Sequence, residues 1–409
     1  MLNCPPVYRN HSELYSDGKL AQREQLCKST FYGYREIRCF KQLTIKIKDV
    51  SAVLLSIPFE SAGSGEGIMP TPWTELEFCL VRIETDQGLI GWGEAFSYSC
   101  SRSVAAFIRQ SIAPLLIGRD LPDPVVFGED AQHKLILQGR SGVAMFALSG
   151  IDIALWDLKA KAESINLAQL LGGRCRESIP AYASLIRYGN VDLVASTCEH
   201  ILNIGFKDFK LHEITLPEIR RGAELLGENN GLMVDVNCNW TEVQCQQAIP
   251  ELLDLDVRWL EEPIFPPEDV RALALLRDTG IRISTGENAC TAFAFEQICL
   301  AGASDFLQPS VTKVGGLTEV LKILKTNGGP RGLPFTPHSP YFGPGFLATL
   351  QLAGAEESTR FVEYLYVQPE CWIYLDMPLP EDGMVCIPDG KGLGMDPDPR
   401  VLERYYVNG

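Results

Sequence analysis

Eight β-rich runs follow one another from residue 178 onward, and each of them ends in a polar residue. The distance from one polar end to the next is 23 to 28 residues, which leaves room for one helix between each pair of strands. Amphipathic stretches of helical period, such as 216–228 and 266–280, fill those intervals. This spacing predicts a parallel (β/α) barrel. The polar ends are Ser184, Lys210, Asp235, Glu261, Glu287, Ser310, His338 and Glu363.

A doubly wound sheet shares this alternation of strands and helices. It is disfavoured because no glycine-rich phosphate fingerprint follows any of the strands. Active sites of (β/α) barrels lie at the C-terminal ends of the strands. We therefore expect the polar strand ends to converge in one site.

The chain before the barrel has a different pattern. Residues 1–40 lack a steady apolar period and are predicted to form a loosely ordered extension. From 41 to 175 two extended segments joined by an Asp-Gln-Gly turn precede helical periods at 102–118 and 143–164. The sequence therefore predicts an α+β domain at 41–175, followed by the barrel at 176–369.

Charge and composition exclude several classes of protein. The 52 acidic side chains outnumber the 36 basic ones and give a net charge of −16, which opposes binding to nucleic acid. No apolar run approaches the roughly 18 residues of a membrane span. The N-terminus lacks the pattern of a secretory signal, and the 13 cysteines form no CxxC pair. We expect a cytoplasmic protein with free thiols, no membrane contact and a small-molecule partner.

Three carboxylates end successive strands of the predicted barrel: Asp235, Glu261 and Glu287. In one pocket they would repel strongly unless a cation neutralised them, and hard oxygen ligands suit Mg²⁺. The alternative is that each acid pairs separately with a lysine or arginine. Strand alternation sends Glu262 to the opposite side from Glu261, where we expect it to meet a neighbouring side chain.

Two further strand ends carry groups that can move protons. Lys210 and His212 lie two residues apart on one strand and therefore point to the same side. Lys210 is a candidate base or carboxylate clamp, and the alternative is an exposed lysine beside a core histidine. His338 follows a later strand in the proline- and glycine-rich loop PFTPHSPYFGPG. Such loops carry catalytic groups in barrel enzymes, although a structural role is the alternative.

Several spaced motifs between about 45 and 395 resemble one family. They are GWGEA at 91–95, SGIDIALWDLKAKAESINLAQLLGG at 149–173, VDVN at 234–237, WLEEP at 259–263, TGEN at 285–288, KVGG at 313–316 and PHS at 337–339. In this order they resemble the enolase superfamily, specifically the mandelate racemase and muconate lactonizing enzyme group. The resemblance implies an α/β fold: a modified (β/α)7β TIM-like barrel under an α+β N-terminal capping domain, to which 370–409 returns.

The resemblance also implies the chemistry. Asp235, Glu261 and Glu287 match the ligands of Mg²⁺, and the shared step is removal of the proton α to a carboxylate to give an enediolate. Many members carry Lys-x-Lys where this chain has Lys210-Leu211-His212, so an imidazole stands at the usual position of the base. The family often has an aspartate behind the catalytic histidine, and Ser310 matches that position. By the same resemblance, the substrate-binding residues are expected to be Asn237, Lys313, Glu363 and Ser310.

The leading functional hypothesis is dehydration of a hydroxylated carboxylate, most simply a sugar acid, with His338 as the acid that assists departure of the hydroxyl. A racemase or epimerase and a sugar-lactone cycloisomerase are the alternatives on the same scaffold, and a degenerate barrel without catalysis is the minor one. Specificity is expected to lie in the cap loops 57–73 and 96–103. Members of the family often form symmetric oligomers, which leaves a homo-oligomer open.

Overall fold

A computed structural model of the protein describes residues 45–60, 73–227, 230–327 and 332–408. The predicted extension at 1–40 and most of the cap loop 57–73 lie outside these residues. The described elements form two sheets with helices packed around them. None of the described helices is long and apolar enough to cross a membrane.

The first sheet is antiparallel and belongs to the cap. Its strands are β1 (Ile47–Glu60), β2 (Glu75–Thr85) and β3 (Ile90–Ala95). The β2–β3 hairpin turns at the predicted Asp-Gln-Gly segment. The cap helices are α1 (Ser101–Phe107), α2 (Pro124–Lys134), α3 (Gly142–Ala162) and α4 (Leu167–Leu170), with short 3₁₀ turns at Ala113–Leu115 and Ile136–Gln138.

The helix predicted at 102–118 is regular only in its first part. After α1 the backbone widens into a π turn at Ile108–Ile112 and then tightens into the 3₁₀ turn at Ala113–Leu115. Pro114 lies in that last turn and has no N–H to continue an α-helical ladder. The predicted helical period is thus present from Ser101 to Leu115, with a change of helix type along it.

Helix α3 packs closely on β3 because both carry glycine at their contact. A Cβ atom on Gly93 would overlap the carbonyl oxygen of Gly150, and one on Gly150 would lie 2.7 Å from a methyl group of Val81. Two acids of α3 are buried and join the cap to the rest of the chain. Asp152 accepts from the backbone N–H of Thr318 at 3.0 Å, and Asp157 accepts from those of Trp92 and Leu393 at 2.8 Å each.

The second sheet closes into the predicted parallel barrel. Its strands are β4 (Ser178–Leu185), β5 (Asp208–Leu211), β6 (Gly231–Asp235), β7 (Trp259–Glu261), β8 (Ile283–Thr285), β9 (Phe306–Leu307) and β10 (Val362–Leu365). Neighbours pair in sequence order, and β10 pairs in parallel with β4 to close the ring. Strands β5 to β8 are buried along their whole length, as expected where helices cover a parallel sheet.

The strand predicted around PFTPHS is reduced to a single bridging residue. Phe335 forms parallel bridges with Leu307 on one side and Thr359 on the other. Pro334, which precedes it, and Pro337 and Pro340, which follow it, cannot donate to a strand ladder. The seventh strand position therefore holds one bridging residue, after which the chain continues as the loop that carries His338.

Helices separate the strands as predicted, and several begin at capping side chains. Asn190 accepts from two backbone N–H groups at the start of α5 (Val191–Asn203), and Thr241 forms a capping box with Gln244 at the start of α7 (Glu242–Asp254). The barrel helices are α5 (Val191–Asn203), α6 (Leu216–Glu224), α7 (Glu242–Asp254), α8 (Val270–Arg277), α9 (Thr291–Ala301), α10 (Gly316–Asn327) and α11 (Pro344–Ala355).

The C-terminal segment joins both sheets. β11 (Gln368–Pro369) pairs with β1 of the cap, and β12 (Met384–Cys386) pairs with β4 of the barrel. The chain ends with α12 (Pro399–Arg404), after which Tyr406 bridges to Leu55 of β1. The segment thus pairs with strands of both the cap and the barrel.

Candidate active site

Three acids, two of them buried and Glu287 half-buried, converge at the C-terminal ends of adjacent barrel strands. Asp235 ends β6, Glu261 ends β7, and Glu287 lies two residues beyond β8. One carboxylate oxygen from each lies within 4.8 Å of the others. Parallel pairing of the strands produces this convergence, because it aligns their C-terminal ends at one edge of the barrel.

Lys210 lies among these acids rather than at the surface. Its Nζ is 2.6 Å from Oε1 of Glu261, 3.1 Å from Oδ2 of Asp235 and 3.0 Å from Oε1 of Glu363. Burial works to lower the pKa of Lys210, but the carboxylates of Glu261, Glu363 and Asp235 outweigh it and hold that pKa well above its usual value. In this arrangement Lys210 is an ammonium group that neutralises the acids.

Glu261 is fixed by two side chains that the sequence analysis did not single out. The indole Nε1 of Trp259 and the amide Nε2 of Gln308 donate to Oε2 of Glu261 at 2.9 and 2.8 Å. Both donors use the same oxygen, so Oε1 is left to face Lys210. Trp259 stands two residues before Glu261 on the strand, a spacing that could have indicated this contact.

His212, two residues after Lys210 in the chain, points to the same side as Lys210, as predicted. Its Nδ1 contacts the backbone carbonyl oxygen of Leu185, and its Nε2 lies 3.2 Å from Oδ2 of Asp235. A carbonyl oxygen can only accept a hydrogen bond, so Nδ1 must carry the hydrogen. The contact therefore directs Nε2 toward the acids.

His338 approaches the acids from the loop after the seventh strand position. Its Nε2 lies 2.8 Å from Oε2 of Glu287, and its Nδ1 lies 3.1 Å from the phenolic oxygen of Tyr341. Ser310 contacts that same phenolic oxygen, and the hydrogen bonds of these two described residues do not join Ser310 directly to His338. Tyr341 therefore stands between the two residues that the sequence analysis expected to meet. Only the position of Tyr341 in the same loop as His338 could have indicated this contact from the sequence.

Glu363, predicted to contact substrate, is buried at the end of the barrel ring. Oε1 accepts from Oγ of Ser184 at 2.7 Å and Oε2 from the backbone N–H of Ser339 at 3.0 Å. Burial raises the pKa of Glu363, but Lys210 and His338 outweigh this effect, and the net pKa is lowered. Glu363 is thus an anion that links Lys210 to the His338 loop.

The remaining predicted residues lie around the same acids. Asp235 accepts from the backbone N–H of Asn237 at 2.8 Å, and the side-chain oxygen of Asn237 is buried without a partner among the described residues. Lys313 donates to Asn288 at 3.0 Å, and Asn288 donates to Glu287 at 2.9 Å. The structure thus brings all ten predicted site residues into one region of the barrel mouth.

Glu262 faces away from these acids, as predicted from strand alternation. It accepts from Oγ1 of Thr285 at 2.8 Å and from the backbone N–H of Gly286 at 3.0 Å. Burial raises the pKa of Glu262 to about 7, and Glu287 adds to this rise. It therefore anchors the turn that carries Glu287.

The donor set fits a divalent cation. Three carboxylates, two of them fully buried, bring oxygen atoms together with an unpartnered carboxamide oxygen of Asn237 nearby in the chain. Hard oxygen donors of this kind suit Mg²⁺ or Ca²⁺ better than zinc or copper. Asp235, Glu261 and Glu287 are the residues that could hold such an ion.

The cap reaches the loop of His338 through two residues. The phenol of Tyr98 donates to the carbonyl oxygen of Pro340 at 2.6 Å. Glu94, fully enclosed, accepts from the backbone N–H of Gly345 at 2.8 Å, and burial raises its pKa to about 7. The predicted specificity loop 96–103 therefore begins beside the loop that carries His338.

Family profiles match both parts of the chain. The profile described as "Mandelate racemase / muconate lactonizing enzyme, N-terminal domain" matches residues 69–172. The profile described as "Enolase C-terminal domain-like" matches residues 193–401, about half of the chain.

Individual relatives cover nearly the same region. A D-galactarolactone cycloisomerase of Agrobacterium fabrum is 33% identical over 86% of this chain and 96% of the relative. An arabinonate dehydratase of Saccharolobus solfataricus is 28% identical over 81% and 91%. The crystal structure of a racemase from Streptomyces coelicolor with bound magnesium superposes with a TM-score of 0.79 at 26% identity and covers 88% of this chain and all of that one. The chain belongs to the mandelate racemase and muconate lactonizing enzyme group of the enolase superfamily.

Proposed function

We propose that this protein is a metal-dependent enzyme that removes the proton α to the carboxylate of a sugar acid and then expels an oxygen from the β carbon. Loss of water, that is dehydration, is the principal reaction. One observation carries the proposal: His212 and His338 contact Asp235 and Glu287, the two outer members of the three converging acids. A substrate held over the acids would thus have an imidazole at each side.

The proposed metal is Mg²⁺, held by Asp235, Glu261 and Glu287. The bound magnesium of the Streptomyces coelicolor racemase supports this choice. When bound, the ion would supply positive charge that stabilises the enediolate form of a carboxylate substrate.

Residues of the chain itself are assigned the other steps: substrate binding, proton removal and hydrogen donation to the departing oxygen. Lys210, an ammonium group beside Glu363, binds the substrate carboxylate. His212 takes the α proton at Nε2, the nitrogen directed toward Asp235. His338 stands at the other side as hydrogen donor toward the departing oxygen. Asn237, Lys313 and Ser310 are proposed to contact or support the bound substrate.

Cycloisomerisation of a sugar lactone is the second candidate. It uses the same α-proton removal, but the oxygen that leaves is part of a ring and stays in the molecule. The D-galactarolactone cycloisomerase, at 33% identity, supports it. A racemase or epimerase and a non-catalytic barrel are weaker alternatives. A barrel without catalysis would gain nothing from three converging acids, whose burial is costly.

Location and partners are part of the proposal. The ten cysteines among the described residues are all free, which supports a reducing compartment such as the cytoplasm. The proposed partner is a small carboxylate, and the net charge of −16 argues against nucleic acid.

A panel of acid sugars and their lactones, incubated with the protein and Mg²⁺, tests the function. Dehydration lowers the product mass by about 18 Da, whereas cycloisomerisation and racemisation leave the mass unchanged. Asp235→Asn should abolish turnover, and the matched change Asp256→Asn at an exposed loop position should not. Full activity in EDTA, or in Asp235→Asn, would contradict the metal-dependent reaction.

A further inference from the structure

Phe96 opens the cap loop 96–103 and is fastened to one loop of the barrel. It follows β3, and its backbone N–H donates to the carbonyl oxygen of Thr312 at 3.1 Å. Lys313, the next residue of that loop, places its Nζ over the face of the Phe96 ring, 4.8 Å from the ring centroid. The backbone and the side chain of Phe96 thus contact neighbouring residues of the barrel.

Two further aromatic rings hold the ring of Phe96 in place. The ring centroids of Tyr98 and Phe146 each lie 5.0 Å from that of Phe96. Tyr98 is itself bonded through its hydroxyl to Pro340, and Phe146 belongs to α3. The orientation of the face that Phe96 presents to Lys313 is therefore supported from within the cap.

Lys313 is a buried cation with few partners. Its exposed fraction is 7%, and its Nζ donates to Oδ1 of Asn288 at 3.0 Å. An ammonium group has three hydrogens to donate, and Asn288 is the only hydrogen-bond acceptor of Nζ among the described residues. Burial of a charge is costly unless the charge has partners, and the negative face of the Phe96 ring is one of them.

The same ammonium group lies beside the candidate metal site. Asn288, which accepts from Lys313, donates to Oε1 of Glu287 at 2.9 Å. A continuous series of contacts therefore runs from the ring of Phe96 through Lys313 and Asn288 to the third converging acid. Two hydrogens of the ammonium group are left for a molecule that binds over the acids.

We propose that Phe96 is a positioning residue that holds the ammonium group of Lys313 beside Glu287, where the remaining hydrogens of that group bind an oxygen of the substrate. This inference rests on the proposed function and deepens it, because it assigns part of the substrate affinity to an aromatic ring of the cap. Phe96 acts through Lys313. The cap loop thus contributes to specificity by way of a lysine of the barrel.

The alternative is that the contact between Phe96 and Lys313 only fastens the cap to the barrel. The two roles differ in what the ring must supply. Fastening depends on the size and the apolar surface of the ring, whereas holding an ammonium group depends on the negative charge density of the ring face. Fluorine atoms on the ring withdraw that density and change the size of the ring little. Fluorinated phenylalanines at position 96 therefore distinguish the two roles.

A double-mutant cycle measures the contact without any substrate. Phe96→Leu and Lys313→Met, alone and together, are compared by urea unfolding in EDTA. We expect the effect of Phe96→Leu on the unfolding midpoint to fall by at least about half in the Lys313→Met background. Phe146→Leu is the matched control, since the ring that it removes packs on Phe96, and its effect should be the same in both backgrounds. Additive effects of Phe96→Leu and Lys313→Met would show that the ring and the ammonium group do not interact, and would overturn the proposal.

The fluorinated series uses an acid that the panel identifies. KM should rise stepwise with one, two and three fluorine atoms on the ring at position 96, to about 3- to 10-fold, while kcat changes by less than about a factor of two. Lys313→Met should itself raise KM by about 10-fold, and in that background the series should have no effect. The same series at position 146 is the control and should leave KM unchanged. A KM that does not respond to fluorination, or that rises equally in Lys313→Met, would mean that Phe96 only packs against the barrel.

Failure of the proposed function gives a different result. In that case no acid of the panel reacts, and the substrate contact of Lys313 fails with it, whereas the cycle in urea still decides whether Phe96 holds Lys313. If the wild type turns over an acid and Lys313→Met leaves KM unchanged, the substrate contact of Lys313 is excluded while the metal-dependent reaction stands.

Discussion

The ammonium nitrogen of Lys210 lies 2.6 Å from Oε1 of Glu261, and both side chains are buried. The same nitrogen contacts Asp235 at 3.1 Å. Two of the three candidate metal ligands are thus neutralised by a cation of the chain itself. A divalent ion at these acids would share them with Lys210, so metal binding and the charge of Lys210 are coupled.

Removal of this ammonium group should affect the metal-free protein most. Lys210→Met leaves buried carboxylates unpaired, which costs about 3 to 5 kcal/mol of the free energy of unfolding. Mg²⁺ should recover much of this loss, because it replaces the missing charge. Thermal unfolding in EDTA and in Mg²⁺ measures both effects, with Lys207→Met, an exposed change near the same strand, as control. Equal destabilisation in the two buffers would argue against a shared site.

Substitutions of Lys210 and of His212 should distinguish substrate binding from proton transfer. His212→Ala removes the proposed base and should lower kcat by at least about 100-fold with a small change in KM, whereas Lys210→Met should also raise KM. Exchange of the α hydrogen for solvent deuterium reports the first step alone. Exchange at the wild-type rate in His212→Ala would move the base to another residue.

Gln308 and Trp259 should tune metal affinity through Glu261. Gln308→Met keeps the volume of the side chain but removes its 2.8 Å hydrogen bond to Oε2. Loss of such a supporting contact lowers metal affinity by about 10- to 100-fold. Calorimetric titration with Mg²⁺ gives the affinity without any substrate. Gln246→Met, on an exposed position of α7, is the control, and equal affinities in the two variants would contradict the role of Gln308.

Arg187 is a cation at the barrel mouth that the sequence analysis did not identify. Its Nε donates to the carbonyl oxygen of His212 at 2.7 Å, while Nη2 is buried without a partner among the described residues. We expect this free N–H to bind an oxygen of the substrate. Arg187→Met should raise KM by about 10-fold and change kcat little. Arg282→Met, before β8 at the other end of the barrel, should leave both constants near wild type, and a similar response of the two variants would count against Arg187.

The sequence predicted the barrel and the positions of its polar ends because both follow from periodicity. A strand's alternation and the parallel order of the barrel fix which end of each strand faces the site. Asp235, Glu261 and Lys210 each lie where the strand spacing placed them. The same reasoning predicted that Glu262 faces away.

Contacts made by loops could not be predicted in this way. Tyr341 reaches His338 through a loop whose path depends on three prolines and on the cap above it, and no period marks such a path. Gln308 follows a strand of only two residues, too short for alternation to orient it. The seventh strand was predicted from its apolar residues, yet its prolines left only Phe335 in bridging geometry.

Asp152 joins cap helix α3 to the start of α10. Its carboxylate accepts from the backbone N–H and the hydroxyl of Thr318 at 3.0 and 2.5 Å. Burial raises the pKa of Asp152 to about 7, although the hydrogen bonds from Thr318 oppose this rise.

In the unfolded chain the pKa of Asp152 is near the ordinary value of 3.8. The folded state therefore binds a proton more tightly than the unfolded state, and between about pH 4 and 7 the free energy of unfolding falls as pH rises. A shift of this size corresponds to roughly 4 kcal/mol.

Asp152→Asn should remove this contribution to the pH dependence. An amide has only one oxygen, so the variant keeps an acceptor for only one of the two Thr318 donors and its absolute stability also changes. The slope is therefore the informative quantity. Urea unfolding of both proteins at half-unit steps from pH 4 to 8 measures that slope. We expect the wild type to lose more stability than the variant up to about pH 7, with parallel curves above it. Asp130→Asn, at a half-exposed carboxylate on α2, should retain the wild-type slope. Parallel wild-type and Asp152→Asn curves over the whole range would mean that Asp152 is already ionised at pH 4.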